Sequence, residues 1–197
     1  MAISFRSTKR TQPVSQDLTY ELLGWPPGGP KLPLDHKRFS YAGKFVMTNT
    51  GKAVARDGET IVAAIAFNED RTDEHTLWLR YVTVARDRRG EGIGPELVSL
   101  VRDHAVERGY ERIRIAVNNP FAYEALYRAG FTYTGETTGI AELVLEYQPS
   151  TPGENGTTTE RERDTYQDGL DEFRDRDLSG DETAFLESRV GSEPPDR

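Results

Sequence analysis

At 197 residues the chain is long enough for one domain of ordinary size plus an appendage. It contains no cysteine, which excludes a disulfide framework, a cysteine nucleophile and a zinc-thiolate site. Its formal net charge of −8 comes without a clustered basic stripe, which argues against a nucleic-acid binder, and no run of about 18 apolar residues is present to span a bilayer.

Residues 1–16 are polar, lack the apolar core of a signal peptide and read as a flexible arm, so the expected location is cytoplasmic. From Asp17 to Trp25, Leu18, Tyr20 and Leu22 alternate with polar neighbours and predict a first strand. Pro26-Pro27-Gly28-Gly29-Pro30, with Pro33 behind it, predicts a surface loop, and 34–47 predicts a short helix. Lys52 to Arg56 and Glu59 to Asn68 predict strands joined by the two-residue turn Asp57-Gly58. The unbroken apolar run from Ile61 to Phe67 is that of a strand buried on both faces.

Thr76 to Val84 predicts a further strand, which feeds directly into Arg86-Asp87-Arg88-Arg89-Gly90-Glu91-Gly92-Ile93-Gly94. A helix is expected from Pro95 to Arg108, with Leu97, Val101 and Ala105 on one face and Gly109 at its end. Arg112 to Val117 is a strand, Pro120 to Ala129 a second helix closed by Gly130, and Phe131 to Glu136 and Ile140 to Tyr147 a last pair of strands.

The acidity belongs to the end of the chain. From Pro149 to Arg197 there are 14 acids and 6 arginines, so the first 148 residues balance to zero. Only 5 of the 25 basic residues are lysine, a bias that suits a halophile's salt-rich cytosol or a GC-rich genome. Tyr166, Leu170 and Phe173 fall at helical spacing, and Ser179 with Glu182 predicts a capping box. Few apolar residues and a large charge nevertheless predict a largely disordered acidic tail over 149–197. Asp175 to Gly180 is not a calcium loop, because its twelfth position is Leu186 rather than Glu.

The strand, glycine turn and helix around Val82 to Leu97 form an anion-binding layout. The first N–H groups of a helix have no partner inside it and carry the positive end of its dipole, while Gly90, Gly92 and Gly94 let backbone approach a ligand. Arg88 and Arg89 add forked cations suited to phosphate. The dinucleotide fingerprint fails, since the glycines alternate as Gly-x-Gly-x-Gly and no acid ends a second strand. The Walker-type loop fails because Gly94 is followed by Pro95.

Arg89-Gly90-Glu91-Gly92-Ile93-Gly94 resembles the coenzyme-A loop of the GNAT superfamily of N-acetyltransferases, Gln/Arg-x-x-Gly-x-Gly/Ala. The resemblance covers residues 17–148. It implies an α/β (α+β) GNAT fold, a mixed central sheet of about six to seven strands with flanking helices. The implied function is transfer of an acetyl group from acetyl-CoA, without a metal, to a primary amine by direct attack in a ternary complex. The acceptor is a small molecule or a peptide amino terminus; no nucleic acid or membrane takes part, and a homodimer is allowed.

Residue by residue, the resemblance implies that Val82, Thr83 and Val84 pair through their main chain with the pantetheine arm. The amides of Arg89, Gly90, Glu91, Gly92, Ile93 and Gly94 would hold the pyrophosphate, and Asn118 and Asn119 would end the next strand beside the coenzyme. Arg86 and Arg88 would reach further phosphates or only solvent. The family run Ala-x-x-Leu-Tyr-x-x-x-Gly-Phe is matched by Ala122 to Phe131, except that Tyr127 stands three residues before Gly130 rather than four. Tyr127, or Tyr123 on the same helix face, would be the general acid for the leaving thiolate. Glu69, Asp70, Glu74, His75 and Glu136 all stay open as the general base. A non-catalytic module that binds acetyl-CoA or CoA, as a sensor or interaction subunit, is the alternative.

Overall fold

The computed structural model describes residues 18–149 and 160–196; the expected N-terminal arm and residues 150–159 of the expected tail lie outside them. Seven strands follow the apolar alternation: β1 (Thr19–Gly24), β2 (Gly51–Asp57), β3 (Thr60–Glu69), β4 (Thr76–Val84), β5 (Arg112–Val117), β6 (Thr132–Thr137) and β7 (Leu143–Tyr147). Four helices accompany them: α1 (Ile93–Glu107), α2 (Pro120–Arg128), α3 (Glu160–Arg174) and α4 (Gly180–Glu187). The sheet order is β1-β2-β3-β4-β5-β7-β6. All neighbours are antiparallel except β4 and β5.

One face of the sheet meets the helices. Ala53, Ile65, Phe67, Leu77, Leu79 and Ile115 pack there against Leu97, Val101 and Ala105 of α1 and Leu126 of α2. The opposite face, around Val54, Ala64 and Ala66, is covered by residues 25–47, anchored by Leu32 and Phe45. β3 is buried on both sides for this reason, as its apolar run predicted. Lys52 is buried beneath the same cover; its Nζ donates to Met47 O, Thr50 O and Thr50 Oγ1, which ties the cover to β2.

The structure corrects several boundaries. The short helix expected in 34–47 is only a 3₁₀ turn, Ala42–Lys44, because the segment is held by apolar anchors into the sheet. The β2–β3 ladder closes at Asp57 opposite Thr60, so the turn residues are Gly58 and Glu59, with Gly58 at φ 56°. Helix α1 starts at Ile93, two residues early. Gly92 adopts a left-handed conformation there and turns the chain, and Pro95 is tolerated because first-turn N–H groups have no helical partner anyway.

The largest correction concerns the end of the chain, where α3 and α4 replace most of the expected disorder. Tyr166, Leu170, Phe173 and Leu186 are buried and join the main core. Tyr123 of α2 stacks on Tyr166 at 5.7 Å and meets Phe173 edge-on at 5.7 Å. Gly169 makes this approach possible, since a Cβ there would lie 2.1 Å from Tyr123 Oη. The expected capping box is formed between Ser179 and Glu182.

A charged network holds the helices together. Glu124 of α2, with its side chain 7% exposed, accepts from Arg128 (2.7 Å), from Arg189 beyond α4 (2.5 and 3.1 Å) and from Tyr166 Oη (3.3 Å). Burial pushes the carboxyl up, but Arg189 and then Arg128 outweigh it and hold it below its usual value. A depressed carboxyl stabilises the fold above its unfolded value, near 4.3, and that contribution is lost as pH falls through the folded value. Glu124→Ala is expected to remove about 3 kcal/mol at pH 7, the low end for breaking a buried pair. Urea unfolding at pH 7 and pH 4 checks this: the gap between wild type and variant should narrow at the lower pH.

Candidate active site

The parallel pairing of β4 with β5 is short. It runs from Thr76 opposite Arg112 to Leu79 opposite Ile115 and stops. Beyond it β4 continues against β3 alone, Tyr81 to Val84 opposite Ala66 to Ala63, while Ala116 and Val117 of β5 stay with β7. The break coincides with a bulge: Phe67 faces Leu79 and Ala66 faces Tyr81, leaving Arg80 over. The two strands therefore diverge as a V, and no strand among the described residues pairs with the β5-facing edge of Tyr81–Val84. Such an edge accepts an extended, amide-bearing ligand by strand addition.

Val82 and Val84 turn toward the helix-covered core. Thr83, opposite Ala64, turns the other way. It is buried, and its Oγ1 finds no hydrogen-bond partner among the described residues. A buried hydroxyl without a partner is uncommon and marks a place where a ligand or water completes the bonding.

At the end of β4 the chain makes a 3₁₀ turn, Arg86–Arg88, and enters the glycine segment. Gly90 (φ 82°) and Gly92 (φ 81°) are both left-handed, and a Cβ built at either meets nothing within 4 Å. The space over the turn is open. Glu96 N donates to Gly92 O (3.4 Å) across the first turn of α1, so the amides of Ile93 and Gly94 lie at its positive end. Ile93 anchors the turn in the core, and Gly94 passes close to Val84.

The arginines divide. Arg88 donates to both carboxylate oxygens of Glu91 (2.9 and 3.0 Å) and to Asp57 (2.9 Å), so it braces the turn rather than facing phosphate. Glu91 is left to contribute only its amide. Arg86 Nη1 reaches Lys37 O (3.1 Å). Arg89, exposed, reaches Ser40 Oγ (3.1 Å) and Val84 O (3.5 Å), which links the glycine turn to the 25–47 cover.

Asn119 caps α2, its Oδ1 accepting from Ala122 N (2.9 Å), while Asn118 Oδ1 accepts from Asn119 Nδ2 (3.3 Å). The side chain of Asn119 is thus engaged locally. The tyrosines also lie elsewhere than expected. Tyr127 is buried, and its Oη accepts from Tyr133 N of β6 (3.0 Å) and from Tyr123 Oη (3.3 Å). Tyr123 also donates toward Tyr166 O (3.2 Å), and burial raises its hydroxyl far above the ordinary phenol value.

Because β5 and β7 stand between β4 and β6, this cluster is about three strand spacings, roughly 14 Å, from the open edge of β4. The one-residue offset before Gly130 explains it, since one helix position rotates a side chain by about 100°. The structure brings Val82 to Val84 together with Arg89 to Gly94, and leaves both tyrosines out.

The candidate bases are scattered. Glu69 accepts from Tyr110 Oη (2.6 Å). Asp70 is held down at about 2, first by Thr72 N and then by the Thr72 hydroxyl, with Trp78 Nε1 adding to it; so weak a base is far from the neutral range that proton abstraction favours. Glu74 and His75 lie exposed before β4, and Glu136 of β6 pairs with Arg114 of β5 (3.4 Å). Arg80 was not expected at the site, and its only sequence signal is a lone cation inside an apolar strand.

An open groove of about 410 Å³ also runs beside the start of α1, lined by Tyr20, Pro95, Glu96, Ser99, Leu100, Asp103 and Arg128. Two carboxylates make it a poor seat for phosphate. Among the described residues no group of His, Asp and Glu is arranged to hold a metal ion, and no helix is long and apolar enough to cross a membrane.

Residues 17–131, more than half of the chain, match the acetyltransferase (GNAT) family. No curated protein matches. Among solved structures the chain is similar to an N-acetyltransferase from Staphylococcus aureus Mu50 (16% identity, 50% of this chain and 67% of that one, TM-score 0.46). It is also similar to a Bacillus subtilis acetyltransferase in complex with CoA (17%, 51% and 78%, 0.45). A third likeness is to the ribosomal-protein-alanine N-acetyltransferase of Brucella melitensis (21%, 51% and 69%, 0.46).

Proposed function

Since the chain belongs to the acetyltransferase (GNAT) family, we propose that it transfers an acetyl group from acetyl-CoA to a primary amine by direct attack in a ternary complex. The observation that carries this reading is the V between β4 and β5 leading into an open, left-handed glycine turn at the positive end of α1. The residues fit the coenzyme. The edge of Val82–Val84 offers main-chain partners to its amide-bearing arm, Thr83 Oγ1 has bonding capacity to spare, and the amides from Arg89 to Gly94, in the open turn before and at the start of α1, would take the pyrophosphate.

In the transfer, the amine nitrogen bonds to the acetyl carbonyl carbon and the C–S bond breaks with its electron pair on sulfur. One proton passes from nitrogen to the thiolate. The protein's share is to hold amine and thioester together, which alone supplies a large part of such a rate. We assign no proton transfer to Tyr127 or Tyr123, whose hydroxyls bond to β6, to each other and to α3. That placement also favours a second reading, a cytoplasmic module that binds acetyl-CoA as a sensor and transfers nothing.

Incubation with acetyl-CoA and a panel of amines, following free thiol, separates the two. The enzyme releases thiol only when a suitable amine is present; a sensor binds CoA and releases none with any amine. Tyr127→Phe is expected to keep thiol release within about threefold of wild type, while losing about 1 kcal/mol of stability with the bond from Tyr133 N. A loss of about 100-fold or more in rate, the scale of general acid catalysis, would instead make Tyr127 the acid.

A further inference from the structure

The face of β4 opposite the helices carries, beside the V, a set of partly exposed side chains, of which Tyr81 also packs against the core under the 25–47 cover. The bulge sends Arg80 and Tyr81 out on this one face, next to the last β4–β5 pair. Arg80 Cζ lies over the Trp78 ring at 5.1 Å, and Arg114 Cζ lies 6.0 Å from the same ring. The neighbouring cations are neutralised, Arg112 by Asp73 (2.6 Å) and Arg114 by Glu146 (2.5 Å) and Glu136 (3.4 Å).

Arg80 is different. Its Nε donates to the neutral Asn68 Oδ1 (2.6 Å), and no carboxylate among the described residues lies within ion-pair distance. Asp70, the nearby acid, is engaged by Thr72 and by Trp78 Nε1. The guanidinium is therefore fixed in direction; Asp70 acts on it only through space, and its remaining N–H groups have no carboxylate bonded to them among the described residues.

Beside Tyr81, the next residue along β4, stands Tyr41, from the 25–47 cover. It is 51% exposed, has a left-handed backbone (φ 58°) and meets Tyr81 at 5.7 Å between ring centroids. Lys44 Nζ, also without an acidic partner among the described residues, lies 5.9 Å from the Tyr81 ring. A non-glycine residue held at such a φ is uncommon and collects at ligand clamps.

We propose that this patch is the acceptor site and that the acceptor is an amino-carboxylate, an amine whose own carboxylate lies on Arg80 and whose apolar side chain lies on the exposed surface of the Tyr41–Tyr81 pair. This rests on the transfer reading above. A carboxylate on Arg80 gains forked, charge-assisted hydrogen bonds, and the aromatic rings take up apolar surface. A polyamine would set like charges against Arg80 and Lys44 and is rejected on that ground. The same two cations disfavour an ammonium near them and so favour the free amine that attacks.

The test uses the full chain, acetyl-CoA and four matched amines: phenylalanine, phenylalanine amide, phenethylamine and spermidine. Initial rates of thiol release are measured for wild type, Arg80→Gln and Arg80→Lys. Calorimetry follows CoA binding to each protein and phenylalanine binding to the CoA-saturated proteins. Phenylalanine is expected to exceed the other three in kcat/KM by about tenfold or more, the factor that a hydrogen bond to a charged group at a partly exposed site supplies. Arg80→Gln should abolish that preference and leave phenethylamine and CoA binding within about twofold, with Arg80→Lys between.

Equal or better use of spermidine or phenethylamine overturns the proposal. So does an Arg80→Gln loss shared by all four amines, or CoA binding with neither turnover nor binding of phenylalanine. If the wild type fails to bind CoA at all, the transfer reading itself falls, and this proposal with it.

Discussion

Removing residues 149–197 is expected to leave a chain that does not fold, seen as loss of the cooperative thermal transition and aggregation at concentrations where the full chain is soluble. Tyr166, Leu170, Phe173 and Leu186 are essentially fully buried. Burying a large apolar side chain stabilises by about 1.5–3 kcal/mol, so the four together contribute up to about 6–12 kcal/mol, an upper figure because unfolded chains already bury some surface. Whole domains are stable by only about 5–15 kcal/mol. The truncation also uncovers Tyr123, Tyr127 and Tyr133 and leaves Glu124 without Arg189. A truncated chain that melts within a few degrees of the full one would show the helices to be an appendage after all.

Gly92→Val is the second large effect, this time on binding. CoA affinity should fall by about 100-fold or more, the scale on which small misplacements at a site are felt. Two causes act together. A β-branched residue at φ 81° is strained by about 1–2 kcal/mol, and its side chain fills the open space over the turn that phosphate oxygens would need. The melting temperature should drop by only about 2–8 °C. Gly58→Val isolates the first cause: Gly58 is also left-handed with open space around it, but sits in the β2–β3 turn. It should show the strain and keep CoA affinity. Equal loss of affinity in both variants would mean that strain, not occupation of the phosphate position, governs binding.

Much of this arrangement was legible in the residues. The apolar run of β3, the glycine turn and the capping box at Ser179 each encode their structure locally, through burial on two faces, freedom at positive φ and a side chain that bonds its own backbone. What was not legible depends on partners distant in the chain. The stripe Tyr166, Leu170 and Phe173 is a minority of α3, and composition averages it with the helix's polar outer face; it becomes core only because α2 and β6 present aromatic surface to it. Arg88 carries the charge a phosphate needs, but Asp57, 31 positions away, claims it. The bulge at Arg80 is masked in the sequence, because the apolar ring of Tyr81 lets Leu77, Leu79 and Tyr81 be read as one unbroken alternation, whereas the inward residues pass from Leu79 to Val82. Tyr127 failed to reach the V through a single-position offset, whose rotation matters only once the helix is docked.

The contact between Gly169 and Tyr123 bears on how the sequence is free to change. With Tyr123 in place, position 169 admits no side chain, since even a methyl group would overlap the phenol oxygen. Glycine inside a helix is itself unfavourable by about 1 kcal/mol, so α3 carries that cost for the fit. Neither residue can then drift alone: a larger residue at 169 demands a smaller one at 123 in the same lineage. The C-terminal helices and the sheet-bearing part of the chain are bound to a common history, and pairwise covariation between these two positions among relatives is where that history would be recorded.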